Sequence, residues 1–449
     1  MRQQFLFIMA FFVVGFTLNA QLIPNVLVDN AANDGECTIV IDPQSPSHIL
    51  AASNPDVIYR SADAGLTWIK SNLSLFASNT IIGDVALAAD NNGFFYYQAL
   101  DLNYLFKTMR SGDYGQTWNT ETVFGDTGWT EDKNWLATDN VTTSPYYGRL
   151  YCSWTRRSNG ALDPGYVFMD HSNDSGSSWS NRDTLTIENS TVPPIGTGIA
   201  TGPFGEVNVT WGGGSPNQIQ FNKSIDGAST WFANPVIIDS NVQPSTDYYT
   251  YIQHSIGYSA QFTSLACDVS SSPYKGNLYC VWEDLRNGTD NADIFLARSA
   301  NGGQNWTTQR VNDDMTTRNQ VVPTVAVDPT TGWIYVSYLD ARLNTDNFDD
   351  TLHYYLAWSS DGGQTFQNVQ VSQQPSLVTY IHTDYMGLSA YGGKAQLLWA
   401  GINATSGLQM WTACATYGVD TSFTMLLTLL LISIHEKLNQ IFPHLASLL

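Results

Sequence analysis

Residues 111–118 read SGDYGQTW, and near copies of this octapeptide occur six times along the 449-residue chain. The shared pattern is Ser-x-Asp-x-Gly-x-Thr-Trp, with successive copies about 50 to 75 residues apart. A repeat of this length is typical of radial repeat architectures and not of several unrelated domains. The copies occupy residues 61–68, 111–118, 172–179, 224–231, 299–306 and 359–366.

The residue types in the octapeptide predict a tight turn between two strands. A carboxylate such as that of Asp113 accepts hydrogen bonds from backbone N–H groups just ahead of it, and Gly115 supplies a positive φ. The Ser and Thr hydroxyls bind within the turn, and the indole of Trp118 covers the sheet. Each copy is therefore expected to be a self-contained hairpin turn.

These six copies resemble the Asp-box (BNR-repeat) proteins, whose best-known members are the sialidases, also called neuraminidases. In that family the Asp boxes are structural turns. The resemblance therefore implies that Asp63, Asp113 and their equivalents stabilise the fold and take no part in catalysis. Because fold does not imply function, the boxes predict the architecture alone.

A second repeat between the boxes predicts the strands of each unit. Apolar stretches ending in Asp are followed by strands that begin with Gly, and the box then joins a third strand to a fourth. This order predicts four-stranded antiparallel blades and an all-β propeller. The first strands include residues 38–42, 85–90, 135–139, 264–268 and 324–328; the second strands include 148–154, 205–211, 276–282 and 332–338.

The two ends of the repeat region predict how the ring closes. Residues 384–390, 393–399 and 408–413 form three strands without a box, and residues 26–29 resemble an isolated fourth strand. Pairing them would complete a seventh blade and leave no free sheet edge, so we expect seven blades, with six as the alternative. The propeller would span residues 21–416.

The composition and the termini indicate a secreted protein. Residues 1–20 have the charge, apolar run and small-residue ending of a signal peptide. The formal charge of −21 disfavours nucleic acid or an anionic membrane as a partner. Residues 417–449 fit no blade; their apolar stretch, 423–434, is too short to span a bilayer and predicts a short helix or a disordered tail. We expect a monomer.

The five cysteines are too few and too scattered for a disulfide framework, and no spacing suggests a zinc site. Cys267 and Cys280 lie on what are expected to be adjacent strands. Either they pair across those strands, or all five cysteines are small buried apolar residues.

Candidate functional residues collect on the rim opposite the boxes, where the loops after the second and fourth strands meet. Arginine there suits a carboxylate ligand, because its planar fork donates two parallel hydrogen bonds. Carboxylates beside tyrosines suggest glycoside hydrolysis. The rim residues are Arg156, Arg157, Glu283, Asp284, Arg286, Asp340, Arg342, Glu131, Asp132, Lys133, Trp135, Asp247, Tyr248, Tyr249, Arg318, Tyr380, His382, Asp384 and Tyr385.

The sialidase resemblance implies an exo-α-sialidase that removes terminal sialic acid or a related acidic sugar from a glycan. It implies an arginine triad drawn from Arg157, Arg286, Arg318 and Arg342, and a nucleophilic Tyr385 activated by Glu283. Asp132 or Asp284 would be the acid/base, and Lys133, Trp135 and Asp384 would line the substrate site. The chain departs from the family near its N-terminus, where residues 22–24 (LIP) lack the arginine of the family's Phe/Tyr-Arg-Ile-Pro motif.

Structural explanations account for the same residues. The Asp-x-Arg pairs of the fifth and sixth repeats can be ion pairs within loops, and Tyr385 and Trp135 can pack between blades. A non-catalytic propeller that binds a glycan or a protein is the alternative function. No cofactor is expected, although residues 289–293 and 345–349 carry clustered oxygen groups that suit either calcium or solvated turns.

Overall fold

The computed structural model describes residues 23–32, 34–73, 81–119, 122–157, 165–180, 182–188, 194–213, 217–240, 242–243, 262–288, 291–344, 351–377, 383–403 and 407–416. All the regular secondary structure in these ranges is β-strand. None of the described residues form a helix long and apolar enough to cross a membrane. The strands form seven antiparallel sheets, which are the seven blades of a β-propeller.

The strands follow one another blade by blade along the chain. The first strand, β1 (Asn25–Asp29), belongs to the last blade. Blade 1 contains β2 (Cys37–Ile41), β3 (Ile49–Ser53), β4 (Val57–Ser61) and β5 (Ile69–Asn72); blade 2 contains β6 (Ile81–Ala89), β7 (Phe95–Asp101), β8 (Phe106–Ser111) and β9 (Thr122–Phe124); blade 3 contains β10 (Thr130–Thr138), β11 (Leu150–Arg157), β12 (Gly165–Ser172) and β13 (Asp183–Glu188).

The remaining blades repeat this order. Blade 4 contains β14 (Ile195–Thr201), β15 (Val207–Gly213), β16 (Gln218–Ser224) and β17 (Val236–Asp239); blade 5 contains β18 (Ser264–Cys267), β19 (Leu278–Asp284), β20 (Asp293–Ser299) and β21 (Thr307–Arg310); blade 6 contains β22 (Gln320–Val327), β23 (Ile334–Asp340), β24 (Thr351–Ser359), β25 (Gln367–Gln370) and the short β26 (Ser376–Leu377); blade 7 contains β27 (Gly387–Tyr391), β28 (Lys394–Asn403), β29 (Gly407–Thr416) and β1.

The two ends of the described chain close the ring within blade 7. Strand β1 pairs antiparallel with β29, with Asn25 opposite Ala413 and Leu27 opposite Trp411. This pairing confirms the seven-blade prediction and excludes the six-blade alternative. It also satisfies the backbone of β29, which would otherwise be an exposed sheet edge.

The octapeptides form the predicted turns between third and fourth strands. In the second copy, Asp113 accepts hydrogen bonds from the Ser111 hydroxyl at 2.8 Å and from the Thr117 backbone N–H at 2.8 Å. Gly115 has φ +76° and donates its N–H to the Ser111 hydroxyl. In the first copy, hydrogen bonds from the side chain and backbone of Thr67 lower the pKa of Asp63 to about 2. The carboxylates of these turns therefore stabilise the turn, as predicted.

The core consists of apolar layers between neighbouring blades. Trp154, Trp211 and Trp282 are fully buried at equivalent places near the ends of the second strands of blades 3, 4 and 5. The five cysteines are free thiols. Cys267 and Cys280 do lie on paired strands, but Cys267 is opposite Leu278 and Cys280 is opposite Leu265. The interpretation of the cysteines as small apolar residues is therefore the one that fits.

The innermost strands surround the propeller axis, and most of them begin with an irregularity. The register shifts near the start of β6, β10, β14 and β22. At these points Asp84, Lys133 and Val322 have φ values of 55°, 48° and 57°, a conformation that is uncommon outside glycine. A bulge of this kind changes the direction of a side chain. The starts of the inner strands are therefore built to present particular side chains near the axis.

Candidate functional site

A group of acidic residues and one lysine meets where the inner strands of blades 1, 2, 3 and 7 begin. We call Glu36, Asp84, Lys133, Asp384 and Tyr385 the axial cluster. The charges of Asp384, Asp84 and Lys133 all act on Glu36, and those of Glu36, Asp84 and Asp384 act on both Lys133 and Tyr385. Four separate blades thus contribute to one electrostatically coupled centre.

Lys133 is buried at this centre and its ammonium lies among aromatic rings. Its Nζ is 3.8 Å from the ring centroid of Tyr385, 4.1 Å from that of Trp135 and 5.9 Å from that of Phe262. Its backbone N–H donates to the carboxylate of Asp84 at 2.9 Å, which holds the bulge in its positive-φ conformation. Cation–π contacts of this kind stabilise a desolvated ammonium.

Burial lowers the pKa of Lys133 to about 8, although the charges of Asp84, Glu36 and Asp384 oppose that change. Desolvation disfavours the charged form of any buried group, and here it outweighs the nearby carboxylates. An amine with a pKa near 8 can exchange a proton at physiological pH. The cluster therefore contains a group suited to acid–base chemistry.

Glu36 is a buried acid of the cluster. It is 4% exposed, and its carboxylate accepts a hydrogen bond from the Asn54 amide at 2.5 Å. Burial raises the pKa of Glu36 well above its ordinary value, and the charges of Asp384, Asp84 and Asp34 raise it further. The raised pKa favours the protonated form of Glu36 beside the other carboxyl groups of the cluster.

Tyr385 lies beside Lys133 and packs edge-on against Trp135, with the ring centroids 5.3 Å apart. The side chain is 5% exposed, and no described residue forms a hydrogen bond with its hydroxyl. Burial raises the pKa of Tyr385 well above its ordinary value, and the charges of Glu36 and Asp84 act in the same direction. The raised pKa favours the neutral phenol, which can donate a hydrogen bond.

A cavity of about 20 Å³ lies beside the axial cluster. Lys133, Trp135, Asp384 and Tyr385 contribute to its wall, together with residues of blades 4, 5 and 6. A cavity of this size holds about one water molecule. In this conformation the cluster has room for a water but not for a sugar ring.

The opposite end of the axis is wider and chemically different. A cavity of about 470 Å³ lies where the inner strands end, on the side of the Asp-box turns. Its wall consists of aliphatic, hydroxyl and amide groups, among them Asn140, Thr201 and Tyr391, and no charged side chain lines it. The carboxylates and the ammonium of the axial cluster therefore lie at the end that the sequence predicted, and no charged side chain lines this second cavity.

Two of the arginines predicted to bind substrate form ion pairs with aspartates. Arg286 is 2.5 Å from Asp284 in its own loop and 3.1 Å from Asp239, at the end of the outer strand of blade 4. Arg342 is 2.8 Å from Asp340 and 2.6 Å from Asp313.

Arg156 repeats the arrangement in blade 3, where it contacts Glu131 of its own blade and Asp126 of blade 2 at 2.8 Å. The three arginines therefore connect the second strand of one blade to the outer edge of the preceding blade. Their guanidinium groups are used within the fold, as the structural explanation of the Asp-x-Arg pairs predicted.

The other predicted residues lie at several places on the rim. Glu283 accepts a hydrogen bond from the backbone N–H of Val322 at 2.8 Å, and its charge is not among those that act most strongly on Tyr385. Asp132 is partly buried beside the cluster, and its charge acts on Lys133. Arg318 is partly buried in the segment that precedes β22. The structure thus brings Lys133, Trp135, Asp384 and Tyr385 together, and places Glu283, Arg286 and Arg342 in other contacts.

Some of the sequence predictions fall outside the described residues. These are the side chain of Arg157, residues Asp247, Tyr248, Tyr249, Tyr380 and His382, and the 345–349 segment proposed for calcium; of the 289–293 segment, residues 289 and 290 also fall outside. In the described part of the chain, no group of three or more His, Cys, Asp or Glu side chains is placed to hold a metal ion.

Sequence reasoning missed Glu36 and Asp84, although a signal for both was present. Each lies six residues before the aspartate that follows its inner strand, and Lys133 has the same offset. Glu36 precedes Asp42, Asp84 precedes Asp90 and Lys133 precedes Asp139. Aligning the repeats on those aspartates would have placed all three side chains at one position of the blade.

The chain is similar in structure to several proteins of known structure, all at low sequence identity. No protein-family model matches the sequence, and no curated protein matches it either. An α-L-arabinofuranosidase from Fusarium graminearum aligns with 74% of this chain and 92% of its own at 12% identity, with a TM-score of 0.49. A Hadza microbial sialidase aligns with 83% of this chain and 74% of its own at 13% identity and a TM-score of 0.47. The endosialidase of phage phi92 aligns with 89% and 70% at 10% identity and a TM-score of 0.48. At these values, we draw no conclusion about activity from the similarity.

Proposed function

We propose that the protein is a glycoside hydrolase whose reaction takes place at the axial cluster. The observation that carries the proposal is the buried Glu36, whose pKa is raised well above its ordinary value beside the carboxylates of Asp84 and Asp384. Glycoside hydrolases use one protonated carboxyl group to donate a proton and a second, ionised one to stabilise positive charge. Carboxyl groups whose environments separate their pKa values mark such a pair.

The residues divide naturally between the two roles. Glu36 would donate its proton to the oxygen of the leaving sugar as the glycosidic carbon–oxygen bond breaks. Asp384, which faces the cavity, would stabilise the oxocarbenium-like charge, and a water would then add to the sugar and return a proton to Glu36. Tyr385 offers a neutral hydroxyl to a sugar oxygen. The cavity accommodates about one water molecule in this conformation. The side chain of Lys133 must therefore leave the cavity before a sugar can bind there.

The charge of the cluster favours a neutral sugar over an acidic one. The charges of Asp84, Asp132 and Asp384 act on the ammonium of Lys133, and that of Asp34 acts on Glu36. A sugar carboxylate would be repelled by this excess of negative charge. Exo-α-sialidase activity, the narrower proposal, needs arginines that can bind a carboxylate, and Arg286 and Arg342 each already contact two aspartates.

Hydrolysis of a panel of fluorogenic glycosides tests the proposal. The panel contains an α-L-arabinofuranoside, the β-glycosides of glucose, galactose and xylose, and an α-sialoside. We expect turnover of a neutral glycoside, with kcat reduced at least about 100-fold in Glu36→Gln and in Asp384→Asn. Asp170→Asn, which changes a buried carboxyl group in the outer half of blade 3, is the matched control and should retain kcat.

Each other outcome has a definite meaning. Turnover of none of the substrates would contradict hydrolase activity on these glycosides. Full activity in Glu36→Gln would remove the reaction from the axial cluster. Turnover of the sialoside alone would overturn the preference for a neutral sugar and support the sialidase proposal.

A non-catalytic propeller that binds a glycan or a protein is the second candidate. It is favoured by the small axial cavity and by the paired arginines, since a rim whose charges already neutralise one another suits binding without chemistry. We further propose that the protein is secreted and acts as a monomer, without a nucleic-acid partner. The glycoside panel distinguishes this candidate from the hydrolase.

A further inference from the structure

A separate pocket lies between blades 6 and 7. The inner strands that surround the axis do not line it. Its volume is about 80 Å³. The segment between β25 and β26 forms one wall, and β28, β29 and β1 form the other. We call it the indole pocket, after its two tryptophans; the residues used below are Asn25, Gln373, Trp399, Gly401, Gln409 and Trp411.

Two indoles project from the same face of blade 7 into this pocket. Trp399 and Trp411 are directly opposite one another on β28 and β29, and directly paired side chains share one face of a sheet. Trp399 is 2% exposed and stacks on Tyr354 of blade 6, with the ring centroids 5.1 Å apart. Trp411 is partly exposed. The pair therefore forms a rigid aromatic wall with one accessible ring.

Side-chain amides surround the indoles and are held in fixed orientations. The Asn25 amide donates to the Val371 carbonyl at 2.9 Å and accepts from the Gln373 backbone N–H at 2.7 Å. The amide nitrogen of Gln373 donates to the Ile23 carbonyl at 3.1 Å. That of Gln409 donates to the Asn30 side chain at 2.7 Å. Each of these bonds uses one N–H of a glutamine amide, and the carbonyl oxygen of such an amide can accept a hydrogen bond from a ligand hydroxyl.

Gly401 keeps the pocket open. A Cβ atom at this position would lie 2.9 Å from the Ser376 hydroxyl oxygen and 3.3 Å from Cδ1 of Trp411. Its backbone is not in the positive-φ region. Any side chain here would therefore narrow the pocket by contact, without straining the backbone of the strand.

The chemistry of the wall identifies the class of ligand. No charged side chain lines the pocket, although the protein carries a formal charge of −21. An aromatic face attracts the weakly positive C–H groups of a sugar ring, and amide oxygens accept from its hydroxyls. We infer that the indole pocket binds one neutral sugar unit of a glycan chain, at a site separate from the axial cluster.

Binding of neutral disaccharides to the full chain tests the inference. Cellobiose, xylobiose, arabinobiose and lactose are titrated while tryptophan fluorescence and calorimetric heat are recorded. We expect at least one of them to bind with a Kd of about 1 mM, the range expected for a single small contact. Gly401→Ala and Trp411→Ala should each weaken that binding by about 10-fold or more, because one narrows the pocket and the other removes its accessible ring.

Two controls separate this site from the fold and from the proposed hydrolase. Trp358→Phe changes an indole on blade 6 that stacks on Trp333, outside the pocket, and should bind like the wild type. Glu36→Gln should also bind like the wild type. Absence of binding by all four disaccharides, or unchanged binding in both Gly401→Ala and Trp411→Ala, would overturn the inference. A melting temperature close to that of the wild type shows that each variant is folded.

Discussion

Replacing Asp170 by Asn should make the protein more stable at alkaline pH and leave its stability unchanged at acid pH. Asp170 lies on β12, opposite Cys152 on β11, and is 4% exposed. No described residue forms a hydrogen bond with its Oδ1 atom. Burial raises the pKa of Asp170 to about 7; the charge of Arg182 opposes this change, and that of Asp183 adds to it.

The sign and size of the effect follow from proton linkage. The ordinary pKa is 3.8, so between pH 3.8 and about 7 the folded protein binds a proton that the unfolded chain has lost. The free energy of unfolding therefore falls as the pH rises through this window. A difference of about three pKa units, at 1.36 kcal/mol each, amounts to about 4 kcal/mol. The Asn side chain does not titrate, so Asp170→Asn avoids this loss.

Urea unfolding, followed by tryptophan fluorescence at about pH 4 and about pH 8, measures the effect. The free energy of unfolding of Asp170→Asn, relative to the wild type, should increase by about 4 kcal/mol between the two pH values. Asp63→Asn is a control whose difference from the wild type should stay nearly constant between the two pH values, because the pKa of Asp63 is lowered from 3.8 to about 2 and its effect on stability changes with pH only below about pH 4. A stability difference between Asp170→Asn and the wild type that does not change with pH would show that the pKa of Asp170 is not raised on folding.

Three further changes test other parts of the structure. Arg342→Ala leaves the buried Asp340 without its cation, so the free energy of unfolding in urea should fall by about 3–5 kcal/mol. The kcat of the variant should stay that of the wild type. Loss of kcat in a variant that remains stable would show that Arg342 binds substrate. Gly115→Ala places a Cβ 2.8 Å from Leu50 at φ +76° and should cost at least about 1–2 kcal/mol in the same assay; an unchanged midpoint would contradict this. Lys133→Met should remove an alkaline limb near pH 8 from the pH–rate profile, because the pKa of Lys133 is about 8. If the limb persists in the variant, another group is responsible for it.

The architecture could be predicted because its determinants are local in sequence. Within residues 111–118, Ser111, Asp113 and Thr117 bind one another, so the letters of one short segment specify the turn. The seventh blade required only that Val26 and its neighbours find a partner, and Thr412 and Trp411 belong to the third strand of a blade that has no fourth strand following it in the chain. The octapeptide pattern and the order of the strands were enough to predict both the turns and the seventh blade.

The use of the arginines could not be predicted in the same way. A guanidinium group binds a carboxylate whether that carboxylate belongs to a ligand or to the protein. Arg286 meets Asp239, which lies 47 residues earlier in the chain and on another blade. Only the arrangement of neighbouring blades shows that this partner is present. The sequence could therefore predict which arginines lie on the rim. It could not show that their guanidinium groups bind aspartates of the protein itself.

The axial cluster was predicted in part. Lys133, Trp135, Asp384 and Tyr385 were named because they lie at the rim, and the structure gathers them around one cavity. Their catalytic and substrate-binding roles stay predictions. Glu36 was missed because its significance depends on burial and on charges from three other blades, which no single repeat contains.

Titration of the Glu36 side chain decides whether the axial cluster can supply a proton from a carboxyl group. The carboxyl carbon can be followed by ¹³C NMR in protein labelled at glutamate, with Glu36→Gln used to assign the signal. We expect a midpoint well above 4.5, so that the carboxyl group is still protonated when ordinary glutamates have ionised. A midpoint at or below 4.5 would contradict the proposal, because Glu36 would then be ionised and could not donate a proton to the leaving sugar.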